Sequence, residues 1–243
     1  MKRYLILLAL AVGALMAYSQ NTYTLIASIN NYRARPDLND LPVNSKVAKR
    51  IKSVMAKQPN STVSMLTGRY ATRDSIVSQL HRLCDNAQPG DRIFFFYLGH
   101  GAKGALAVYD SNLPYHELMR IFKTSLASQI FVFIEACHSA SVEWAKGVYW
   151  NDDPSPKPKL AFFTSSQAEE LTWSEAAINA NGYFDQAVVL GLKGLCDEDQ
   201  NKQITVKELE KYIYNYVVKR SMGIQHPQLV TSPDNMDEII VSW

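Results

Sequence analysis

The chain has 243 residues, 47% of them hydrophobic, 11% aromatic and 20% charged, with 11 Gly and 10 Pro. These figures exclude collagen-like and broadly disordered classes and fit a globular protein. Lys plus Arg number 25 against 23 Asp plus Glu; with Lys2 and Arg3 removed in the leader described next, the charges balance. A near-neutral chain without a Lys/Arg run lacks the footprint of a nucleic-acid binder, so no nucleic-acid partner is expected.

Met1-Lys2-Arg3 is a short basic segment, Tyr4 to Ala17 is almost wholly apolar, and Ala17-Tyr18-Ser19 offers small residues two apart. This order predicts a signal peptide over residues 1–19 and export, periplasmic or secreted, of a chain starting near Gln20. The apolar run falls short of the ~20 residues that span a bilayer. No Cys follows it to carry a lipid, and no later segment is long enough to cross, so no stable membrane anchor is expected.

Strand-length apolar runs then alternate with helix-period segments, the pattern of an α/β sheet. Thr22 to Ile29 reads as a strand, and Ser45 to Lys57 as an amphipathic helix with Val47, Ala48, Ile51, Val54 and Met55 on one face. Ser61 to Leu66 is a second strand; Thr72 can cap a helix carrying Ile76, Leu80 and Leu83. After the Pro89-Gly90-Asp91 turn, Ile93 to Leu98 is nearly all apolar, as expected of a strand covered on both faces. Ala105 to Tyr109 reads as a small β-extension, Tyr115 to Phe122 as a helix, and Ile130 to Ile134 and Leu160 to Thr164 as further strands. Between the last two, residues 151–159 carry three prolines and read as an exposed loop. Two helices close the chain, one with Phe184, Ala187, Val188, Leu192 and Leu195 on its apolar face, the other with Val206, Leu209, Ile213, Tyr216 and Val217. There are no internal repeats, and residues 20–243 read as one domain.

Gly99-His100-Gly101 directly follows one central strand, and Glu135-Ala136-Cys137-His138-Ser139 closes another. Ligands of open parallel sheets bind beyond the carboxyl ends of the strands. If the two strands are neighbours, His100 and Cys137 emerge side by side there. An imidazole beside a thiol favours the nucleophilic thiolate. The Gly101 and Cys137 amides are candidates for an oxyanion site, and the flanking glycines for close approach of a substrate. Three cysteines leave at least one unpaired within the monomer. Cys84 reads as core, and Cys196 stands just past a helix end.

Phe96-Tyr-Leu-Gly-His-Gly101 and Glu135-Ala-Cys-His-Ser-Ala140 resemble the His and Cys motifs of metacaspases and other caspase-like cysteine peptidases. The resemblance continues in Ser28-Ile-Asn-Asn-Tyr32, Thr67 to Arg73, Gly182-Tyr-Phe-Asp185, Glu208-Leu209 and Gln225-His-Pro227, and so spans nearly the whole chain after the leader. It implies a caspase-like α/β/α sandwich on a mainly parallel sheet of about six strands. The implied activity is that of a cysteine endopeptidase acting on peptide or protein substrates, with Cys137 as nucleophile and His100 as proton donor to the leaving amine. It also implies that Glu135 lines an S1 pocket selecting Arg or Lys. Asn44-Ser45 stands where such enzymes tend to carry an Asn-Asp pair, so a second S1 acid is expected to be missing unless Asp40 replaces it. The Ile-Glu-Ala-Cys run is also similar to legumain relatives of the same clan, which prefer Asn; there Arg33 would help form a polar pocket. A binding module without turnover is the non-enzyme alternative. With trypsin-like specificity, self-cleavage is expected at Lys159-Leu160, with Lys146-Gly147 as competitor.

The chemistry calls for no cofactor or metal. His100, Cys137 and His138 lack a fourth ligand for zinc. Asp197, Asp199, Asn201 and Glu208 occupy positions 1, 3, 5 and 12 of an EF-hand loop, but Lys202 stands where the turn favours Gly, and Thr205-x-x-Glu208 reads as a capping box. Calcium is therefore not expected to be an obligatory ligand of the 197–208 segment, while the resemblance to metacaspases, several of which depend on calcium, leaves calcium activation at another site open. His81, His116 and His226 read as surface or structural.

Overall fold

Successive residues of a strand face opposite sides of its sheet, and here both sides are apolar, so both need a helical cover. The computed structural model, which describes residues 20–42, 44–137, 139–145, 158–167 and 182–243, has this architecture. The proposed leader, His138, Lys146 and most of the proline-rich segment, including Lys157, lie outside the described residues. In chain order the elements are β1 (Thr22–Ser28), α1 (Asn44–Met55), β2 (Ser61–Thr67), α2 (Arg73–Asn86), β3 (Arg92–Leu98), β4 (His100–Ala102), β5 (Ala105–Ala107) and β6 (Asn112–Pro114). There follow α3 (Tyr115–Lys123), β7 (Gln129–Glu135), a 3₁₀ turn (Ser139–Ala145), β8 (Lys159–Thr164) and α4 (Tyr183–Leu190), which continues into a wider turn over Gly191–Leu195. The last elements are β9 (Gln203–Thr205), α5 (Val206–Arg220), β10 (Gln228–Thr231) and β11 (Ile239–Ser242).

Six strands form the central sheet in the order β10-β8-β7-β3-β1-β2, all parallel except β10. One face sends Leu25, Phe95, Tyr97, Val132 and Phe162 against Ile76 and Leu80 of α2 and Leu118 and Phe122 of α3. The other sends Ile26, Phe96, Phe133 and Phe163 against Val47 and Ile51 of α1, Phe184 and Val188 of α4, and Leu209 and Ile213 of α5. Phe96, Phe133 and Phe163 are register partners on three adjacent strands and stack with ring centroids 4.7 and 4.8 Å apart. The resulting α/β/α sandwich has the expected six-stranded, mainly parallel sheet. Among the described residues no helix is long and apolar enough to cross a membrane.

Two local readings change. The β-extension after β3 is a three-stranded antiparallel unit, β4-β5-β6. Lys159, expected at the end of an exposed loop, begins β8: its N–H donates to Ser128 O at 2.9 Å, and its ammonium meets the Glu238 carboxylate. Leu160 beside it is 1% exposed. The Lys159-Leu160 bond therefore belongs to a packed strand and is not the accessible site that loop composition suggested; sheet pairing outweighs the adjoining prolines.

The Phe ladder and the last helix's cap differ in what they contribute, and the difference is measurable. Phe133→Ala should cost ~3–5 kcal/mol by opening a cavity between two stacked neighbours. Thr205→Ala, which removes the side chain that accepts the Glu208 N–H at the start of α5, should cost about 1 kcal/mol. Urea unfolding of both variants beside wild type checks this ranking.

Candidate active site

Strands β3 and β7 pair with Leu98 opposite Glu135, and the Gly99 N–H donates to Glu135 O at 3.1 Å. The two chains thus leave the sheet in step, and His100 and Cys137 come from neighbouring strand ends at its carboxyl edge. The intervening glycines are required by the protein's own packing, where substrate approach was the expected reason. A β-carbon on Gly101 would stand 2.1 Å from Cys137 O. One on Gly99 would stand 2.5 Å from the Tyr97 hydroxyl and 2.7 Å from that of Tyr32. Either contact is closer than a real β-carbon tolerates.

The tyrosines hold the His100 backbone. The His100 N–H donates to Tyr32 Oη at 2.7 Å, and Tyr32 Oη donates to Ala107 O at 3.1 Å. Tyr97 Oη lies 2.6 Å from Ala107 O and 2.8 Å from His100 O, both of which can only accept. Burial pushes the Tyr32 hydroxyl up to about 12 and that of Tyr97 well up too, so both stay protonated as donors. The Tyr32 ring sits 4.9 Å from the imidazole, centroid to centroid. Imidazole Nε2 is 2.8 Å from Asn39 O. A carbonyl accepts only, so Nε2 carries a proton, and in the neutral ring Nδ1 keeps the lone pair. Asn39 acts through its main chain, which explains why side-chain reasoning did not find it.

The chain around Cys137 is held from β8. Ser165 Oγ accepts from Ala136 N at 3.1 Å and donates to Ala136 O at 3.0 Å. Past the cysteine, Ser166 N donates to Ser139 Oγ, and Ala140 N to Ser166 O, each at 3.1 Å. Gln225, fully buried, donates from Nε2 to Ser165 O at 2.6 Å. Cys84, Cys137 and Cys196 form no disulfide; Cys84 and Cys196 are buried, with thiols pushed up to about 12 chiefly by burial, whereas Cys137 is partly exposed.

Glu135 meets Asp185, the last residue of the Gly182-Tyr-Phe-Asp185 motif, to which the resemblance assigned no pocket role. Asp185 lies in the first turn of α4, on the same buried stripe as Phe184 and Val188, and is 4% exposed. Gly182 at the helix cap leaves room for Glu135: a β-carbon there would stand 2.9 Å from Glu135 Oε2. That oxygen is buried without a hydrogen-bond partner among the described residues. Burial, then the charge of Asp185, then Cys137 push the Glu135 carboxyl well above its ordinary range. Burial pushes Asp185 up to about 8. The pair therefore retains protons at neutral pH. An acid on the apolar face of a helix, without a basic partner nearby in sequence, was the available signal.

The other candidates are placed elsewhere or are already occupied. Asp40 accepts the Tyr32 N–H at 2.8 Å, and Asn44 donates to Ile29 O at 3.1 Å. Both are committed to shaping the loop after β1, and the second acid beside Glu135 comes from α4. Arg33 stands exposed on that loop. His81 and His116 are exposed. Lys202 itself adopts φ +64, so the turn in the 197–208 loop forms without glycine. Carboxyl oxygens of Asp197, Asp199 and Glu208 lie within 4.8 Å of one another. They already accept main-chain amides, Asp197 from Asn201 and Lys202, and Glu208 from Thr205 in the expected capping box.

A His and a Cys on adjacent strand ends of an α/β/α sandwich define a class, and comparison with known proteins names it. Residues 46–225 match the model of the Peptidase C13 family, and the chain belongs to that family. It is 22% identical over 201 residues to a probable protease of a Desulfuromonadales bacterium, covering 69% of this chain and 24% of that protein. It is 32% identical over 95 residues to the vacuolar-processing enzyme of Glycine max, covering 36% of this chain and 17% of that one. The chain thus spans a quarter or less of the length of these relatives. A crystal structure of a Geobacter sulfurreducens protein shares the fold, with a TM-score of 0.67 at 17% identity, covering 90% of this chain and 97% of that one.

Proton retention by the acid pair has a signed consequence. A carboxyl whose pKa rises on folding stabilises the protein below its unfolded value near 4 and loses that contribution as pH climbs through its folded value, about 8 for Asp185. Wild type should therefore lose thermal stability between about pH 5 and 8 relative to Asp185→Asn. Parallel Tm-against-pH curves for the two proteins would contradict the buried pair.

Proposed function

We propose that the protein is an exported cysteine endopeptidase in which Cys137 is the nucleophile and His100 the proton shuttle, acting on peptide or protein substrates with preference for asparagine at P1. The observation that carries the catalytic reading is the in-step exit of β3 and β7, with imidazole Nε2 tied to Asn39 O. In this reading Nδ1 exchanges the proton with the thiol. Cys137 Sγ, as thiolate, attacks the scissile carbonyl carbon, and the developing oxyanion is met by the Gly101 and Cys137 amides. Collapse breaks the C–N bond as His100 gives its proton to the departing amine. His100 then takes a proton from water, whose oxygen attacks the thioester and releases the acid and the thiolate. No cofactor or metal enters these steps.

Support for asparagine comes from the protonated pair and from the two plant relatives, both named vacuolar-processing enzyme. A protonated carboxyl offers an O–H donor and a carbonyl acceptor together, the complement of a neutral carboxamide. A guanidinium or ammonium would need the pair ionised, which burial resists. The metacaspase-like reading, cleavage after Arg or Lys, keeps one specific observation in its favour: two acids, Glu135 and Asp185, stand close enough to shift each other's charge.

Two measurements test the proposal. Cys137→Ala and His100→Ala should each remove nearly all peptide hydrolysis with folding intact, since members of one catalytic unit fail together. Near-normal turnover in either folded variant would exclude the dyad. Among substrates differing only at P1, kcat/KM for Asn should exceed that for Arg most at acidic pH, with the ratio shrinking as pH passes about 8, where Asp185 ionises. Glu135→Gln should lower any Arg cleavage at least about tenfold, by loss of a charge-assisted bond. An Arg preference at acidic pH would decide for the metacaspase-like specificity.

A further inference from the structure

A second cavity opens on the helical face that carries α1, α4 and α5. Its volume is about 420 Å³, within the usual range for small-molecule sites. Three helical segments contribute a cation each: Arg50 from α1, Lys193 from the turn that extends α4, and Arg220 from the end of α5. The apolar part of the lining is Val47, Val189 and Leu190. Neither Arg50 nor Lys193 meets a carboxylate among the described residues. The Arg220 guanidinium lies over the Tyr216 ring, 5.3 Å from its centroid, and the Tyr216 hydroxyl donates to Gln186 Oε1, so this corner of the rim is braced. Asp185 is the one acid in the lining. It is buried and, pushed up to about 8, predominantly uncharged at neutral pH. It also stands beside Glu135, so this residue borders both the cavity and the site described above, while His100, Glu135 and Cys137 are not in the lining.

We infer that this cavity binds a phosphate monoester on a small apolar or aryl body. Three like charges around one opening repel one another, and an anion between them converts that repulsion into attraction. Two of the three are guanidinium groups, whose planar donors match phosphate oxygens in pairs. A doubly charged head uses all three cations better than a singly charged carboxylate. The apolar lining distinguishes such a ligand from free phosphate, because an aryl or alkyl body leaves water against Val47, Val189 and Leu190. Carboxylate, phosphate without a body, and body without charge are each incomplete versions of this ligand.

The probe is phenyl phosphate, titrated calorimetrically into the full chain at low ionic strength, with inorganic phosphate, benzoate and phenol as comparisons. Phenyl phosphate should bind saturably at one site, about tenfold or more tighter than each comparison, and weaken as salt rises. Arg50→Gln and Lys193→Gln, both at exposed positions, should each weaken it about threefold or more, and the triple variant with Arg220→Gln should remove saturable binding. If the triple variant does not fold, the two single variants carry the test. Absence of saturation in wild type, inorganic phosphate or benzoate binding as tightly as phenyl phosphate, or unchanged affinity in both single variants would each overturn the assignment. The readout is binding alone, so it stands or falls independently of peptidase activity.

Discussion

The parallel pairing of β3 with β7 is the constraint on which the rest of the site depends. Leu98 opposite Glu135 is the last register pair, and the hydrogen bond from Gly99 to Glu135 carries the alignment past the formal strand ends. A slip of one residue would turn every side chain of one strand to the opposite face. That slip would expel Phe94 and Phe96 from the ladder with Phe131 and Phe133, and would send the residue after Gly99 away from Cys137. The large apolar side chains and the polar site therefore rest on the same register, and selection for a packed core also keeps together the strand ends that carry His100 and Cys137.

Beyond the sheet, small residues and hydroxyls complete the arrangement. Gly99 yields its space to two tyrosine hydroxyls, Gly101 to the Cys137 carbonyl, and Gly182 to the Glu135 carboxyl. None of these three adopts a positive φ, so each is required for volume rather than for backbone conformation. Ser165, Ser166 and Ser139, all fully buried, satisfy the main chain on both sides of the cysteine. An unpaired buried amide or carbonyl would be costly, so this hydroxyl network keeps the Cys137 turn in one conformation while leaving the thiol partly exposed.

The acids follow the opposite logic. Glu135 and Asp185 are held together where neither has a cation to offset its burial among the contacts that shift it. Such a pair reduces its electrostatic cost by retaining protons. It costs stability when ionised. Asp185 also lines the cationic cavity behind it, so one residue of α4 borders two environments of different charge.

Much of this was legible in the amino-acid order. Alternating apolar runs specified an α/β fold because fully covered parallel strands have no polar face, and His100, Cys137 and Glu135 stood at strand ends where such folds bind ligands. The cap at Thr205 was readable from its three-residue spacing to Glu208, an entirely local interaction. Other features depended on contacts distant in sequence. The edge strand β10 joins the sheet through β8, some sixty residues earlier, and Lys159 becomes strand because β7 pairs with it, despite the prolines before it. Asp185 stood in a quoted motif without an assigned role, and only the packing of α4 brings it to Glu135, fifty positions upstream. Asn39 contributes a carbonyl, which every residue possesses, so its identity carried no signal. The sequence by itself determined the periodicity, the caps and the reactive residue types, because these act within a few positions. Register, burial and the pairing of charges were decided by tertiary structure, because they depend on which distant groups exclude water from one another.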